Sequence, residues 1–180
     1  MARVVLRDWR ETDLEPFAAW LQPGHRWKEL DGPYYLRPSP GDVTAMVERD
    51  RAAIAAGDWP TPRTNLVIAD KRSDTLLGIV LYDPATWGQG LGYEALGLWS
   101  DYLFDALPQI ARLDLRTWSG NIGMTWLAVK LGYTLEARFR KARIVKGAYY
   151  DGLGYGVLRE EWRERYPDGF AAHLDIIRGL

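Results

Sequence analysis

The chain has no cysteine, only two histidines (His25 and His173), and no apolar run near the about 18 residues a membrane span needs. The first absence excludes disulfides, thiol nucleophiles and thiolate metal sites. The second leaves too few imidazoles for a His-rich metal centre, so no metal is expected. Residues 2–7 contain no signal-like apolar core. A soluble, cytoplasmic protein with no membrane partner is the expectation. An excess of either charge is missing too. Lys and Arg number 23 against 24 Asp and Glu, a formal net charge of -1, which gives no general attraction to nucleic acid. No repeat, linker or low-complexity stretch is present. Residues 1–180 are expected to form one domain, with a helical tail over about 160–180.

What is abundant is tryptophan, nine in all, which calls for a large core or aromatic pocket walls. Val4 to Leu6 reads as a short strand. Thr12 reads as the cap of a helix over Asp13 to Leu21. The segment Gln22 to Pro40 carries His25, Trp27, Tyr34 and Tyr35 among turns, and either lines a pocket or merely covers one. Asp31 in its Asp-Gly-Pro step reads as a turn residue. Asp42 to Ala56 reads as a helix. Asn65 to Ala69 and Leu76 to Tyr82 read as paired strands around a polar turn. A helix over Gly92 to Phe104, a strand over Arg112 to Trp118, and a helix from Asn121 to Leu131 ending at Gly132 follow. Thr134 to Val145 and Tyr149 to Leu158 form a hairpin around Lys146-Gly147. The order predicts a mixed α/β (α+β) fold. Its sheet is mostly antiparallel and flanked by helices, with one parallel crossover through the helix after residue 90.

The stretch Trp87-Gly88-Gln89-Gly90-Leu91-Gly92-Tyr93-Glu94 joins a strand-like run to a helix-like one. Alternate glycines let backbone N–H groups converge, and the helix start adds unpaired donors and a positive dipole end. This is a cradle for a phosphate or pyrophosphate. No Lys follows the glycines, so the stretch is not a P-loop. Gly92 comes one residue early for a dinucleotide fingerprint. The alternative is a strand-to-helix turn with no ligand.

The spacing resembles the pyrophosphate loop of GNAT-type N-acetyltransferases, with Gly90 and Gly92 at the matching positions. Thr117-Trp118-Ser119-Gly120-Asn121, followed by Leu131-Gly132-Tyr133, resembles the family's second signature. The run Tyr149 to Trp162 is similar to the last strand of the branch containing ribosomal-protein N-terminal (alanine) acetyltransferases. The resemblance covers about residues 3 to 165. It implies a GNAT-like fold that binds acetyl-CoA. The cofactor contacts would be Leu81, Tyr82, Gly88, Gln89, Gly90, Leu91, Gly92, Tyr93 and Asn121. Asn121 reads equally as a plain helix N-cap. The implied reaction is acetyl transfer to a primary amine, of a small molecule or a peptide N-terminus, by direct attack.

Three departures accompany the resemblance. Trp87 stands where the family has Arg or Gln. Ala128 stands where many members carry a thiolate-protonating Tyr; Tyr133 and Tyr150 are the substitutes to examine, and Asp151 is a third polar candidate for the cleft. The chain also reads one strand short before the glycine loop, which removes the stretch that often holds the general base. These departures keep open a CoA-binding module with weak or lost catalysis, or a structural protein that dimerises; a homodimer fits any of these readings. The basic hairpin Arg138 to Arg143 reads as a solvated face, or as help for a CoA phosphate or an acidic partner. Glu94 reads as a first-turn carboxylate favouring the helix dipole.

Overall fold

The computed structural model describes residues 2–57, 59–78 and 80–179. Ile79 of the expected Leu76 to Tyr82 strand, and Leu180 of the expected tail, lie outside them. The elements run β1 (Val4–Arg7), α1 (Glu11–Leu21), α2 (Pro40–Ala56), β2 (Val67–Asp70), β3 (Leu76–Gly78), α3 (Leu91–Ala106), β4 (Arg112–Trp118), α4 (Ile122–Leu131), β5 (Thr134–Val145), β6 (Ala148–Leu158), α5 (Arg159–Arg165) and α6 (Phe170–Gly179). The fold is mixed α/β, as the sequence predicts.

The strands form two antiparallel three-stranded sheets, ordered β1-β2-β3 and β4-β6-β5. Among the described residues the expected parallel crossover forms no ladder. β3 and β4 flank α3 in sequence but lie in different sheets. β3 is too short to extend towards β4, because Gly78 turns the chain. Gly78 has φ 139, and a Cβ there would lie 1.8 Å from the Val80 carbonyl oxygen and against the Tyr82 ring. The predicted strand to Tyr82 therefore stops at Gly78. Tyr82 turns into the cluster of α1 and the first sheet, beside Phe17, Trp20 and Trp27. Between β3 and the glycine loop the described residues hold only a 3-10 turn, Pro84–Thr86, in keeping with the missing strand.

The cap of α1 also differs from expectation. The helix starts at Glu11, with Thr12 inside its first turn. Asp13, not Thr12, closes the end: its carboxylate accepts the Arg10 N–H at 2.8 Å and binds the Arg7 guanidinium at 2.7 and 2.9 Å. A buried carboxylate held by a cation and an orphan N–H outcompetes a hydroxyl that can do only the second. The other expected boundaries agree within a few residues. Lys146 and Gly147 both take positive φ (50 and 79) in the β5–β6 turn, the twist a two-residue hairpin requires.

The tail breaks where Pro167-Asp168-Gly169 predicts, and both halves pack inward. Trp162, Tyr166, Phe170 and Leu174 join α3, α4 and β6 in one core. The Asp101 carboxylate of α3 accepts from Trp162 Nε1 at 2.9 Å and from the Phe170 N–H at 3.0 Å. It thereby ties both tail helices to the helix that starts at the glycine loop. Arg159 donates to the carbonyls of Phe104, Leu107 and Ile110, satisfying acceptors left open at the end of α3.

Candidate functional site

The two sheets leave a cleft of about 1280 Å³ between them. The first sheet contributes Leu6 and Ile68. The second contributes Trp118, Phe139 and Leu153. The glycine loop lies along one rim and the segment 22–40 along another, with Trp27, Leu30, Tyr34 and Tyr35 facing in. That segment therefore lines a pocket, and Asp31, beyond being a turn residue, lies on the wall.

The glycine loop has the geometry of an anion cradle. Gly88 and Gly90 take φ 72 and 82, and Gly90 is the residue before α3. No atom lies within 4 Å of a Cβ built at Gly88. The first-turn N–H groups of Leu91, Gly92 and Tyr93 have no acceptor within the helix and carry its positive end. Trp87 lines the cleft, but its one polar side-chain atom is already engaged. Its Nε1 donates to the Leu81 carbonyl at 2.8 Å, and Arg26 lies over its ring at 5.7 Å. The indole thus fixes the entry of the loop.

The loop is tied from below by Arg3 of the N-terminal strand segment. Glu94 is completely buried. It accepts from the Arg3 backbone N–H at 2.6 Å and from Arg3 Nε at 3.0 Å. The same guanidinium donates to the Gln89 carbonyl. The dipole role expected for Glu94 is thus joined by a tether that sequence reading missed. Arg3→Met keeps the backbone bond and removes the rest. It should cost about 2 kcal/mol in urea unfolding, below the value for a fully buried pair because the guanidinium is half exposed. An unchanged midpoint would show that the tether contributes nothing.

The predicted contacts divide. Leu81, Gly88, Gly90, Gly92, Tyr93 and Asn121 line the cleft. Tyr82 and Leu91 are buried in apolar clusters. The Gln89 side chain donates to the Ala85 carbonyl at 2.7 Å, which leaves its backbone as its contribution to the loop. The Tyr93 hydroxyl is bonded to His173 Nε2 at 3.0 Å, and Lys130 Nζ lies over its ring at 4.6 Å; burial pushes its pKa up. Asn121 is an N-cap, accepting from the Met124 N–H at 3.0 Å. Its amide also donates to the Leu30 carbonyl at 3.2 Å, beside Trp118 Nε1 at 2.9 Å. These two donors hold the segment 22–40 against β4.

The three polar candidates lie elsewhere. Tyr133 is buried in the core, its hydroxyl 2.8 Å from Ser100 Oγ, and burial pushes its pKa up. Ala128 is likewise core. The Tyr150 ring packs edge-on against Trp118 at 4.8 Å. Asp151 fastens the irregular stretch of β5. Its carboxylate accepts from the Lys141 N–H and from Arg138 Nη1, each at 2.9 Å. The Lys141 N–H, then Arg138, hold its pKa below the ordinary value, so it stays ionised at neutral pH.

Sequence reading also missed Arg116 and Arg143, both on the cleft wall. The alternation of Arg116 with Trp118 along β4 was the available signal. Arg143 was read only as the end of the basic hairpin Arg138 to Arg143, whose other basic members are exposed. Among the described residues, no group of three or more His, Asp or Glu is placed to hold a metal, and no helix is long and apolar enough to cross a membrane.

Comparison with known proteins agrees with this geometry. Over 75 residues the chain is 33% identical to an SPbeta prophage-derived uncharacterized N-acetyltransferase, YokL, of Bacillus subtilis; the match covers 42% of each chain. Spermidine N-acetyltransferase of Vibrio cholerae, solved with CoA and spermine, shares the fold. Its TM-score is 0.67 at 14% identity, over 89% of this chain and 98% of that one. RimJ of Mycobacterium smegmatis, solved with CoA-disulfide, gives 0.57 at 19% identity, over 88% and 83%. The profile of the acetyltransferase (GNAT) domain matches residues 3–134, and the chain belongs to the GNAT acetyltransferase family.

Proposed function

We propose that this chain transfers an acetyl group from acetyl-CoA to a primary amine by direct attack of the neutral amine on the thioester. The observation that carries this reading is the glycine loop at the start of α3, opening into a cleft that continues between the two sheets. The pyrophosphate would sit on the amides from Gln89 to Tyr93, where backbone donors and the helix end favour negative charge. The pantetheine arm would pass Leu81 and run towards Asn121. Lys130, at the glycine-loop end, adds a cation near the phosphates. The aromatic end, with Trp27, Tyr34 and Trp118, would receive the amine. No covalent intermediate is needed, consistent with a chain that lacks cysteine.

Tyr133, Tyr150 and Asp151 are engaged in core, sheet and bulge contacts, so the reading assigns the amine proton to water in the cleft rather than to a side chain. The pH profile follows. The kcat/KM should rise with pH until the acceptor amine is largely neutral, because only the free base attacks. A plateau near pH 6 to 7 would instead reveal a side-chain base. The function itself is tested by incubating the protein with acetyl-CoA and a panel of amines and peptides, reading thiol release and the mass of the acetylated product. Turnover with any primary amine supports the proposal. Binding of acetyl-CoA without turnover favours the second reading, a CoA-binding module. The burial of Ala128 and Tyr133 in the core is the observation behind that second reading.

A further inference from the structure

We infer that the acceptor amine carries an anionic group, a carboxylate or a phosphate, bound by Arg116 and Arg143. This rests on the acetyl-transfer reading above and names its substrate class. The charged side chains on the cleft wall are Asp31, Arg116, Lys130 and Arg143. Asp31 is the one acid among them and lies 3.6 Å from Lys28 Nζ. Lys130 lies over Tyr93, at the glycine-loop end. That leaves two guanidinium groups at the aromatic end with no ion-pair partner among the described residues; Asp114, the other same-face neighbour of Arg116 on β4, is paired to Arg112.

Arg143 is half-buried and Arg116 exposed, both on the cleft wall. Arg143 lies over the Tyr34 ring at 4.5 Å, and Tyr34 meets Trp118 edge-on at 6.4 Å. Arg116 is the same-face neighbour of Trp118 on β4. The Nε of Arg143 is buried without a hydrogen-bond acceptor, a condition native proteins rarely leave unanswered, and its Nη1 donates to the Ala142 carbonyl at 3.2 Å, which leaves Nη2 as the group to meet a ligand oxygen. Arg116 has no ion-pair partner among the described residues. The other arginines of the same hairpin region are not comparable: Arg138, for example, is paired to Asp151.

The floor between them suits an extended ligand segment. In the β4-β6-β5 ladder, Trp118 and Phe139 pair with Gly152, while Arg116 and Ala137 pair with Gly154. The middle strand therefore has no side chain at these two positions. A Cβ built at either would meet nothing closer than 3.4 Å. The result is a trough floored by backbone, walled by Trp118 and Phe139, and carrying guanidinium donors. A guanidinium group recognises planar carboxylates and phosphates through charge-assisted hydrogen bonds. The same positive end disfavours a polycation such as spermine, the ligand of the Vibrio cholerae neighbour, because the trough offers ammonium groups two like charges.

Matched acceptors test this. Phenylalanine is compared with phenethylamine, phosphoethanolamine with ethanolamine, and spermidine is added as the polycation, each with acetyl-CoA. The expected result is a kcat/KM at least about 10-fold higher for the anionic member of one or both pairs. The carboxylate and phosphate arms separate the two sources of charge. In Arg116→Gln and Arg143→Gln that ratio should collapse towards one, while acetyl-CoA affinity, titrated separately, stays within about twofold. Faster turnover of the neutral or polycationic amines overturns the inference. So does acetyl-CoA binding with no anionic amine bound or acetylated. Loss of acetyl-CoA affinity in the variants overturns it too, by assigning the arginines to the cosubstrate. Failure of the wild-type protein to bind acetyl-CoA is a different result and counts against the proposed function itself.

Discussion

Gly90→Glu is expected to lower acetyl-CoA affinity by at least about 100-fold. Gly90 sits immediately before α3 with φ 82, a conformation that costs a residue with a Cβ about 1–2 kcal/mol. That strain would affect folding. The larger effect is on the ligand. A carboxylate at this position competes for the first-turn N–H groups and repels a pyrophosphate that needs the same donors. Losing two or more charge-assisted hydrogen bonds accounts for the expected size. Gly57→Ala is the control. Gly57 is also left-handed, at φ 62, with nothing within 4 Å of a built Cβ, but it caps α2 and is not on the cleft wall. It should be similarly strained and bind acetyl-CoA normally. Equal affinities for both variants by calorimetry would remove the glycine loop from the site.

The second large effect is on stability. Trp162→Ala should cost about 3–5 kcal/mol. The side chain is fully buried and meets Tyr166 at 4.5 Å and Phe170 at 5.9 Å between ring centroids. It also donates to Asp101, the carboxylate that holds the start of α6. Truncation therefore opens a cavity and leaves Asp101 one partner short. A chain of this length should lose roughly 10 °C or more in Tm. Trp162→Phe keeps most of the packing and should lose much less. A Trp162→Ala midpoint within 1 kcal/mol of wild type would mean that the tail is an appendage rather than part of the core.

Much of this was legible from local pattern. The Lys146-Gly147 hairpin, the Gly132 helix end and the Pro167-Asp168-Gly169 break all depend on backbone preferences of a few adjacent residues. The glycine loop stands out in the sequence for the same reason: three glycines leave backbone N–H groups accessible, the feature on which the proposed acetyl-CoA site rests. The misses are long-range. Gly78 ends β3 because the chain must turn Tyr82 into a distant aromatic cluster. Asp13 displaces Thr12 as the helix cap because Arg7 folds against it. Tyr133 and Asp151 were attractive by residue type, yet Ser100 holds the first in the core and the Lys141 N–H and Arg138 engage the second. The arginines of the trough gain meaning only when the ladder places two glycines of β6 beside Arg116 and Trp118. No single-strand pattern contains that information.

The most direct measurement is a calorimetric titration of acetyl-CoA into the folded wild-type protein, with CoA and ATP alongside. Saturable binding of acetyl-CoA and CoA at one site per chain, with none for ATP, is the predicted result. No heat from a well-folded sample, or binding of ATP as tight as that of CoA, would contradict the assignment of the cleft to acetyl-CoA.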